Sequence, residues 1–155
     1  MPKALSAFGM AWGPTMADES QRKPVKIGVK EGGGPPPGYK WNVEILEQAF
    51  AEAMGFLNAD QYCHLASQFR ELAGQDEASQ SQTVDVRPIE DFYELRDKGG
   101  ILRRMNTRIF FFIHKKMRTI VILGAIKKEN DGATPMGDKI TMRRRKRLYL
   151  QADSR

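Results

Sequence analysis

The sequence predicts a single α+β domain. Three observations support this prediction: the pattern of apolar residues in the first half of the chain, the pattern in the second half, and the length of the chain. An alternating apolar segment is followed by two segments with helical apolar spacing, and three extended segments and a final helix fill the second half. The predicted element order is β-α-α-β-β-β-α. Three consecutive strands favour a small antiparallel meander with the helices packed mainly on one side of the sheet. A length of 155 residues suits one domain.

The domain is predicted to span residues 39–150, between a flexible N-terminal tail or linker of residues 1–38 and a C-terminal tail of residues 151–155. The run from Glu31 to Gly38 combines glycine, which is entropically costly to order, with proline, which lacks an N–H. Its triple glycine lacks the G-K-[ST] ending of a phosphate-binding loop, so it is interpreted as a linker. Alternating Val25, Ile27 and Val29 leave open an additional edge strand.

The first half of the domain contains one predicted strand and two predicted helices. Trp41, Val43 and Ile45 alternate with polar residues and indicate the strand. A short helix follows and is expected to end at Gly55. Asn58, with a glutamine three residues later, is a box-like N-cap for the second helix. That helix carries one apolar stripe, formed by Tyr62, Leu65, Ala66, Phe69, Leu72 and Ala73.

The second half contains three predicted strands and one helix. Residues 92–96 and 108–113 are rich in aromatic and β-branched side chains, as strands are. Residues 119–126 form a continuous apolar run, which predicts a central strand buried on both faces. Thr134 as N-cap, followed by Pro135, predicts the start of the final helix.

Positive charge is concentrated in the second half of the chain. The net charge is +6, but residues 96–150 alone contain 16 Lys and Arg against four Asp and Glu. Such asymmetry attracts polyanions to one part of the surface and favours a nucleic-acid partner over a merely solvated basic face.

The composition argues against several other classes of protein. Cys63 is the one cysteine, so no intramolecular disulfide can form, and His64 and His114 lack metal-ligand spacing. We therefore expect no metal and no cofactor. No apolar run approaches the roughly 18–20 residues that a membrane span needs. The apolar stretch from Ala4 to Trp12 lacks a signal-peptide cleavage site, so a cytoplasmic location is expected.

Four short segments resemble the RelE/HigB toxin superfamily, most closely its HigB-like, phage-derived branch. They are an "ELR" strand at residues 94–96, an "R-hydrophobic-F" strand beginning at Arg108, a strand ending in Lys127-Lys128, and the Thr134-Pro135 helix start. The resemblance covers about residues 39–150. It implies a RelE-like fold and the toxin of a type II toxin–antitoxin system, a ribosome-dependent mRNA endonuclease. It also implies mRNA, the ribosome and a helix-turn-helix antitoxin as partners.

The residues suited to metal-free RNA cleavage by the 2′-OH lie on neighbouring predicted strands. Charge develops on the phosphoryl oxygens in the transition state, so fixed cations are the main requirement. Arg96 and Arg108 are assigned to phosphate clamping, and Lys127 or Lys128 to phosphate binding or proton transfer. Glu94 shares a strand face with Arg96 and acts either as a base or, by preference, as an orienting ion-pair partner. All five are expected to converge on one patch.

A second group of cations is expected to contact RNA without taking part in catalysis. It consists of Lys98, Arg103, Arg104, Arg143, Arg144 and Arg147. His114 and Tyr149 match none of the four motifs, so the proton-transfer roles stay open. Two alternatives also stay open: a non-catalytic basic RNA- or DNA-binding module, and a phage accessory protein that keeps the fold for protein contacts.

Overall fold

The computed structural model describes residues 24–27, as backbone, and residues 35–153, with the side chains of residues 35–152. Within these residues the strands and α-helices, in chain order, are β1 (Pro24–Ile27), β2 (Asn42–Leu46), α1 (Glu47–Met54), α2 (Ala59–Ala73), β3 (Asp85–Ile89), β4 (Phe92–Asp97), β5 (Asn106–His114), β6 (Thr119–Lys128) and α3 (Met136–Asp153). A short 3-10 helix, Gly100–Leu102, lies between β4 and β5.

The strands form one mixed sheet in the order β1-β2-β6-β5-β4-β3. Strands β4 to β6 form the predicted antiparallel meander, and β3 extends it by one strand. The sheet as a whole is not antiparallel, because β2 pairs with β6 in parallel. β6 is buried along most of its length and needs a partner on each side, which β5 and β2 provide.

Both faces of the sheet carry helices, so the expectation of helices mainly on one side holds only for α1 and α2. Phe69 of α2 packs edge-to-face on Phe111, with ring centroids 5.3 Å apart. Tyr149 of α3 packs on Phe112, the next residue of β5, at 5.6 Å. Successive strand residues point to opposite faces, so α3 covers the face opposite α1 and α2. A central strand that is apolar on both faces requires this double cover.

The two edge strands differ in how well the sequence indicated them. β1 lies within the predicted tail and pairs antiparallel with β2, as the alternation of Val25 and Ile27 suggested; Val29 lies outside the described residues. β3 was not predicted. It contains Pro88 and is mostly exposed, and such a sequence is tolerated at a sheet edge, where one side of the strand needs no donors.

Capping groups near in sequence explain the start of α2, whereas the predicted side-chain cap at the start of α3 is not formed. The Asn58 side chain accepts from Gln61 N at 2.8 Å and Gln61 Oε1 accepts from Asn58 N at 3.0 Å, which confirms the capping box of α2. At α3 the first-turn amides of Asp138 and Lys139 donate to the carbonyl of Pro135. The hydroxyl of Thr134 is instead turned towards the sheet, where it bonds Glu94.

α1 and α3 meet where β2 ends and leaves the edge of β6 unpaired. Glu52 of α1 accepts from the amide of Ala125 at 3.0 Å, and Arg145 of α3 donates to the carbonyl of Leu123 at 2.8 Å. Arg145 also pairs with Glu52 at 2.9 Å. This ion pair therefore replaces the missing strand. Gly124 beside it lets α3 approach closely, since an added Cβ would overlap Met142 and lie 2.9 Å from the Arg145 guanidinium.

Candidate functional site

Two arginines lie opposite each other at one end of the sheet, on the face that α3 covers. Arg96 of β4 and Arg108 of β5 are direct partners in the ladder. Lys128, at the end of β6, pairs with Asn106, which lies two residues from Arg108 and therefore on the same face. We call Arg96, Arg108 and Lys128 the strand-end cluster.

A buried hydrogen-bond network links the two arginines. Glu94 is 0% exposed and accepts from Arg96 Nε on one carboxylate oxygen. Its other oxygen accepts from Thr134 Oγ1 at 2.6 Å, and Arg108 Nη1 donates to the same hydroxyl at 3.1 Å. Both oxygens of Glu94 are thus occupied. This confirms the ion pair with Arg96 that the sequence suggested, and because Glu94 is fully buried its carboxylate is not exposed to act as a general base.

Arg108 and Arg96 differ in exposure and therefore in the role each can take. Arg108 is only 2% exposed, and this burial, followed by repulsion from Arg96, lowers its guanidinium pKa. The side chain of Arg96 is 20% exposed. Since its Nε alone is engaged among the described residues, its Nη groups can bind an anion. Arg96 is therefore the arginine that solvent reaches, and Arg108 is linked to it through Thr134 and Glu94.

Lys98 and Lys128 make exposed contacts with the loop between β6 and α3. Lys98 Nζ pairs with Asp131 at 2.6 Å, and Lys128 Nζ donates to Asn130 Oδ1 at 3.0 Å. The hydrogen bond from Lys98, and then its charge, lower the pKa of Asp131. Exposed ion pairs are weak because solvent screens both charges, so a phosphate could displace the Asp131 carboxylate from Lys98.

Lys127 does not join the strand-end cluster. It pairs with Thr107 and lies on the face that carries α1 and α2, where it is exposed. The expected convergence of both lysines with the arginines is therefore wrong for Lys127 and holds for Lys128.

The other predicted RNA contacts divide between two regions. Arg103 and Arg104 are exposed in the turn that leads into β5, near the cluster. Arg143 of α3 pairs with Glu90 at 2.6 Å, at the opposite end of β4. Arg144 and Arg147 are exposed on the same helix. The α3 cations therefore do not form one continuous surface with the strand-end cluster.

Three residues with acid–base side chains meet at the far end of the same sheet face. Tyr149 donates to Glu44 Oε1 at 2.8 Å, and its ring lies 6.0 Å from that of His114. His114 is six residues along β5 from Arg108, which corresponds to roughly 20 Å. A phosphate held by the cluster is therefore out of reach of His114 and Tyr149.

Sequence reasoning missed Thr134, Asn130 and Asp131. Thr134 satisfied a helix-capping pattern, and the Asn–Asp–Gly segment before it indicated only a turn. Neither pattern signals contact with a strand 40 residues away. A further pair, His64 with Asp97 at 2.7 Å, ties α2 to the end of β4.

No protein-family profile, curated protein or solved structure matches this chain. Among the described residues, no group of three or more His, Cys, Asp or Glu could hold a metal ion. None of the helices described combines the length and apolar character required to cross a membrane.

Proposed function

We propose that this protein is an endoribonuclease toxin that cleaves mRNA on the ribosome and is held inactive by a helix-turn-helix antitoxin. The observation that carries the proposal is the direct pairing of Arg96 with Arg108 beside Lys128, at the positions of three motifs that resemble the RelE/HigB superfamily. The reaction, its substrate and the antitoxin follow from that resemblance.

Glu94 prepares Arg96 for a phosphodiester. A buried carboxylate that binds Nε restrains the plane of the guanidinium and leaves both Nη groups for another acceptor. Arg108 reaches the same carboxylate through Thr134, so the network resists rotation of Arg96. Preorganisation of this kind is what transition-state stabilisation requires, because the cation does not have to reorient as charge develops.

In the proposed reaction the 2′-oxygen attacks the adjacent phosphorus and the bond to the 5′-oxygen breaks. The 2′-oxygen loses its proton, the 5′-oxygen gains one, and a 2′,3′-cyclic phosphate remains. Arg96 and Lys128 stabilise the charge on the non-bridging oxygens, and Lys98 joins them when RNA displaces Asp131. Water accepts the proton of the 2′-OH, since Glu94 is fully buried and His114 is distant, and water or Lys128 supplies the proton that the 5′-oxygen gains.

Lys127 and Lys128 provide a matched pair of test variants. The two lysines are adjacent in sequence and carry the same charge, but they lie on opposite faces of β6. We expect Lys128→Ala to reduce cleavage of ribosome-bound mRNA by about 10²–10³-fold, as loss of one transition-state contact does. Lys127→Ala should stay within a few-fold of wild type. Mapping of mRNA 5′ ends, together with growth inhibition, measures both variants.

Arg96→Gln is the second test, because Arg108 is too buried for its substitution to separate function from folding. The glutamine can still hydrogen-bond Glu94 but presents no cation. Loss of cleavage in a variant that unfolds at the wild-type urea concentration supports the proposal. Equal activity of wild type, Arg96→Gln and Lys128→Ala would refute it.

A non-catalytic RNA- or DNA-binding module is the second candidate, favoured by the exposure of Arg144 and Arg147 on α3. Such a protein would bind mainly through phosphate charges, with strong salt dependence. The double variant Arg144→Ala/Arg147→Ala should then lose most of the affinity, whereas Lys128→Ala should lose little. The proposed toxin shows the reverse pattern in cleavage.

A further inference from the structure

An apolar cavity of about 130 Å³ lies between the sheet and the α1–α2 pair, on the face opposite the strand-end cluster. Its inner wall includes Val43, Ile109 and Ile122 from three strands, together with Leu65 and Phe69 from α2. All five are at most 6% exposed. The cavity is thus part of the core and separate from the proposed RNA site.

Small side chains create this space. Five of the lining residues are alanines, contributed by α1, α2 and β6: Ala49, Ala53, Ala66, Ala73 and Ala125. Tyr62 also lines the cavity, and burial raises the pKa of its phenol. Cores are normally packed with few voids larger than a water molecule, so an empty space of this size is unusual. A dry apolar cavity of about 150 Å³ is known to admit benzene.

The rim of the cavity is polar on one side. Pro36, Tyr39, Ala66 and Arg70 are the lining residues that are not buried. Arg70 is the one residue with a formal charge among the lining residues described, and Tyr39 is 39% exposed. A molecule seated in the cavity would therefore have its outer end beside Arg70.

We propose that this cavity is a binding site for a small amphiphilic carboxylate, with an aromatic or branched aliphatic body inside and the carboxylate at Arg70. The apolar wall selects the body, because it offers almost no polar group to a polar ligand. Arg70 selects the head group, since hydrogen bonds between a guanidinium and a carboxylate are charge-assisted. The inference is independent of the RNA-cleaving activity.

Phenylacetate and toluene test the two halves of the site. Both carry a ring of the right size, but only phenylacetate carries a carboxylate. We expect saturable shifts of the methyl NMR signals of Ile109, Ile122 and Leu65 with both compounds. Arg70→Gln should weaken phenylacetate binding about tenfold and leave toluene binding within twofold.

Filling the cavity is the matched control. Ala53→Leu places three more carbons in the cavity and should abolish binding of both compounds. Ala66→Leu does the same from the half-buried rim, so it replaces Ala53→Leu if that variant does not fold. Absence of saturable shifts in the wild type would overturn the proposal. Undiminished binding in a folded filled variant would do so too, and equal phenylacetate affinity in Arg70→Gln would overturn the assignment of the carboxylate.

Discussion

Replacing Arg103 with glycine is expected to stabilise the fold and at the same time weaken RNA binding. Arg103 has φ 61° and ψ −119°, and the amide of Met105 donates to the carbonyl of Leu102 at 3.0 Å. These values are those of the first central position of a type II′ turn, where glycine is strongly preferred. An exposed arginine thus occupies a backbone conformation that suits a residue without a Cβ.

The expected gain follows from two opposing free energies. A non-glycine residue in such a region costs about 1–3 kcal/mol. Glycine loses about 0.5–1 kcal/mol more backbone entropy on folding than a residue with a side chain. We therefore expect the free energy of unfolding to rise by about 1 kcal/mol, which for a domain of this size raises Tm by about 2–4 °C. Urea unfolding followed by circular dichroism measures it.

Arg104→Gly is the matched control, because it removes the same charge from the next residue of the same turn. Arg104 does not have a positive φ, so glycine relieves no strain there and should cost about 0.5–1 kcal/mol. If both arginines contact phosphates, each variant should lower the salt dependence of RNA binding by about one ion. Equal changes in stability for the two variants would refute the strain argument. Unchanged salt dependence in both would remove this turn from the RNA interface.

Three further predictions concern the packing of α3 and the rim of the site. Gly124→Ala should lower the free energy of unfolding by about 1–3 kcal/mol, because the new methyl overlaps a buried methionine of α3; calorimetry measures it. Arg145→Met should cost about 3 kcal/mol in urea unfolding, since it leaves Glu52 and a strand carbonyl without their partner. Lys98→Gln should raise the pKa of Asp131 towards its ordinary value of 3.8, as measured by carboxyl NMR.

Matched variants control for the two predictions on the packing of α3. Arg147→Met, at an exposed position of the same helix, should change stability by less than about 0.5 kcal/mol. A Met142→Ala change should cancel part of the Gly124→Ala penalty, and full additivity would contradict the clash. The lowered pKa of Asp131 means that its pairing stabilises the protein above the unfolded-state pKa, and that this contribution is lost as pH falls through the folded-state pKa.

Sequence patterns of a few consecutive residues, such as apolar runs and helix caps, predicted the strands and helices in which they occur. The apolar run of β6 indicated a buried central strand, and the Asn58 capping box indicated the start of α2, and both are confirmed. β3 escaped because Pro88 and its charged neighbours are tolerated only at an edge, which sequence does not identify. The parallel pairing of β2 with β6 is a contact between segments about 77 residues apart, which no local periodicity specifies.

The choice between the two lysines depends on a single irregularity in β6. The ladder shifts register between Phe110 and Phe111, whose partners are Gly124 and Ile122, so Leu123 is an extra residue. Strict alternation from Val121, the partner of Phe112, would place Lys127 on the face of Arg108. The bulge inverts this order and places Lys128 there instead. Only the glycine at residue 124 hints at a bulge in the sequence.

The same irregularity also positions α3. The carbonyl of the extra residue, Leu123, accepts a hydrogen bond from the buried Arg145 guanidinium, and Gly124 provides the gap that Met142 fills. α3 in turn follows directly from Thr134, whose hydroxyl completes the network between Glu94 and Arg108. The bulge therefore places Lys128, rather than Lys127, beside the arginines. It also determines the position of α3, which follows Thr134. A substitution that disturbs this packing should impair the site even though it changes none of the cluster's charges.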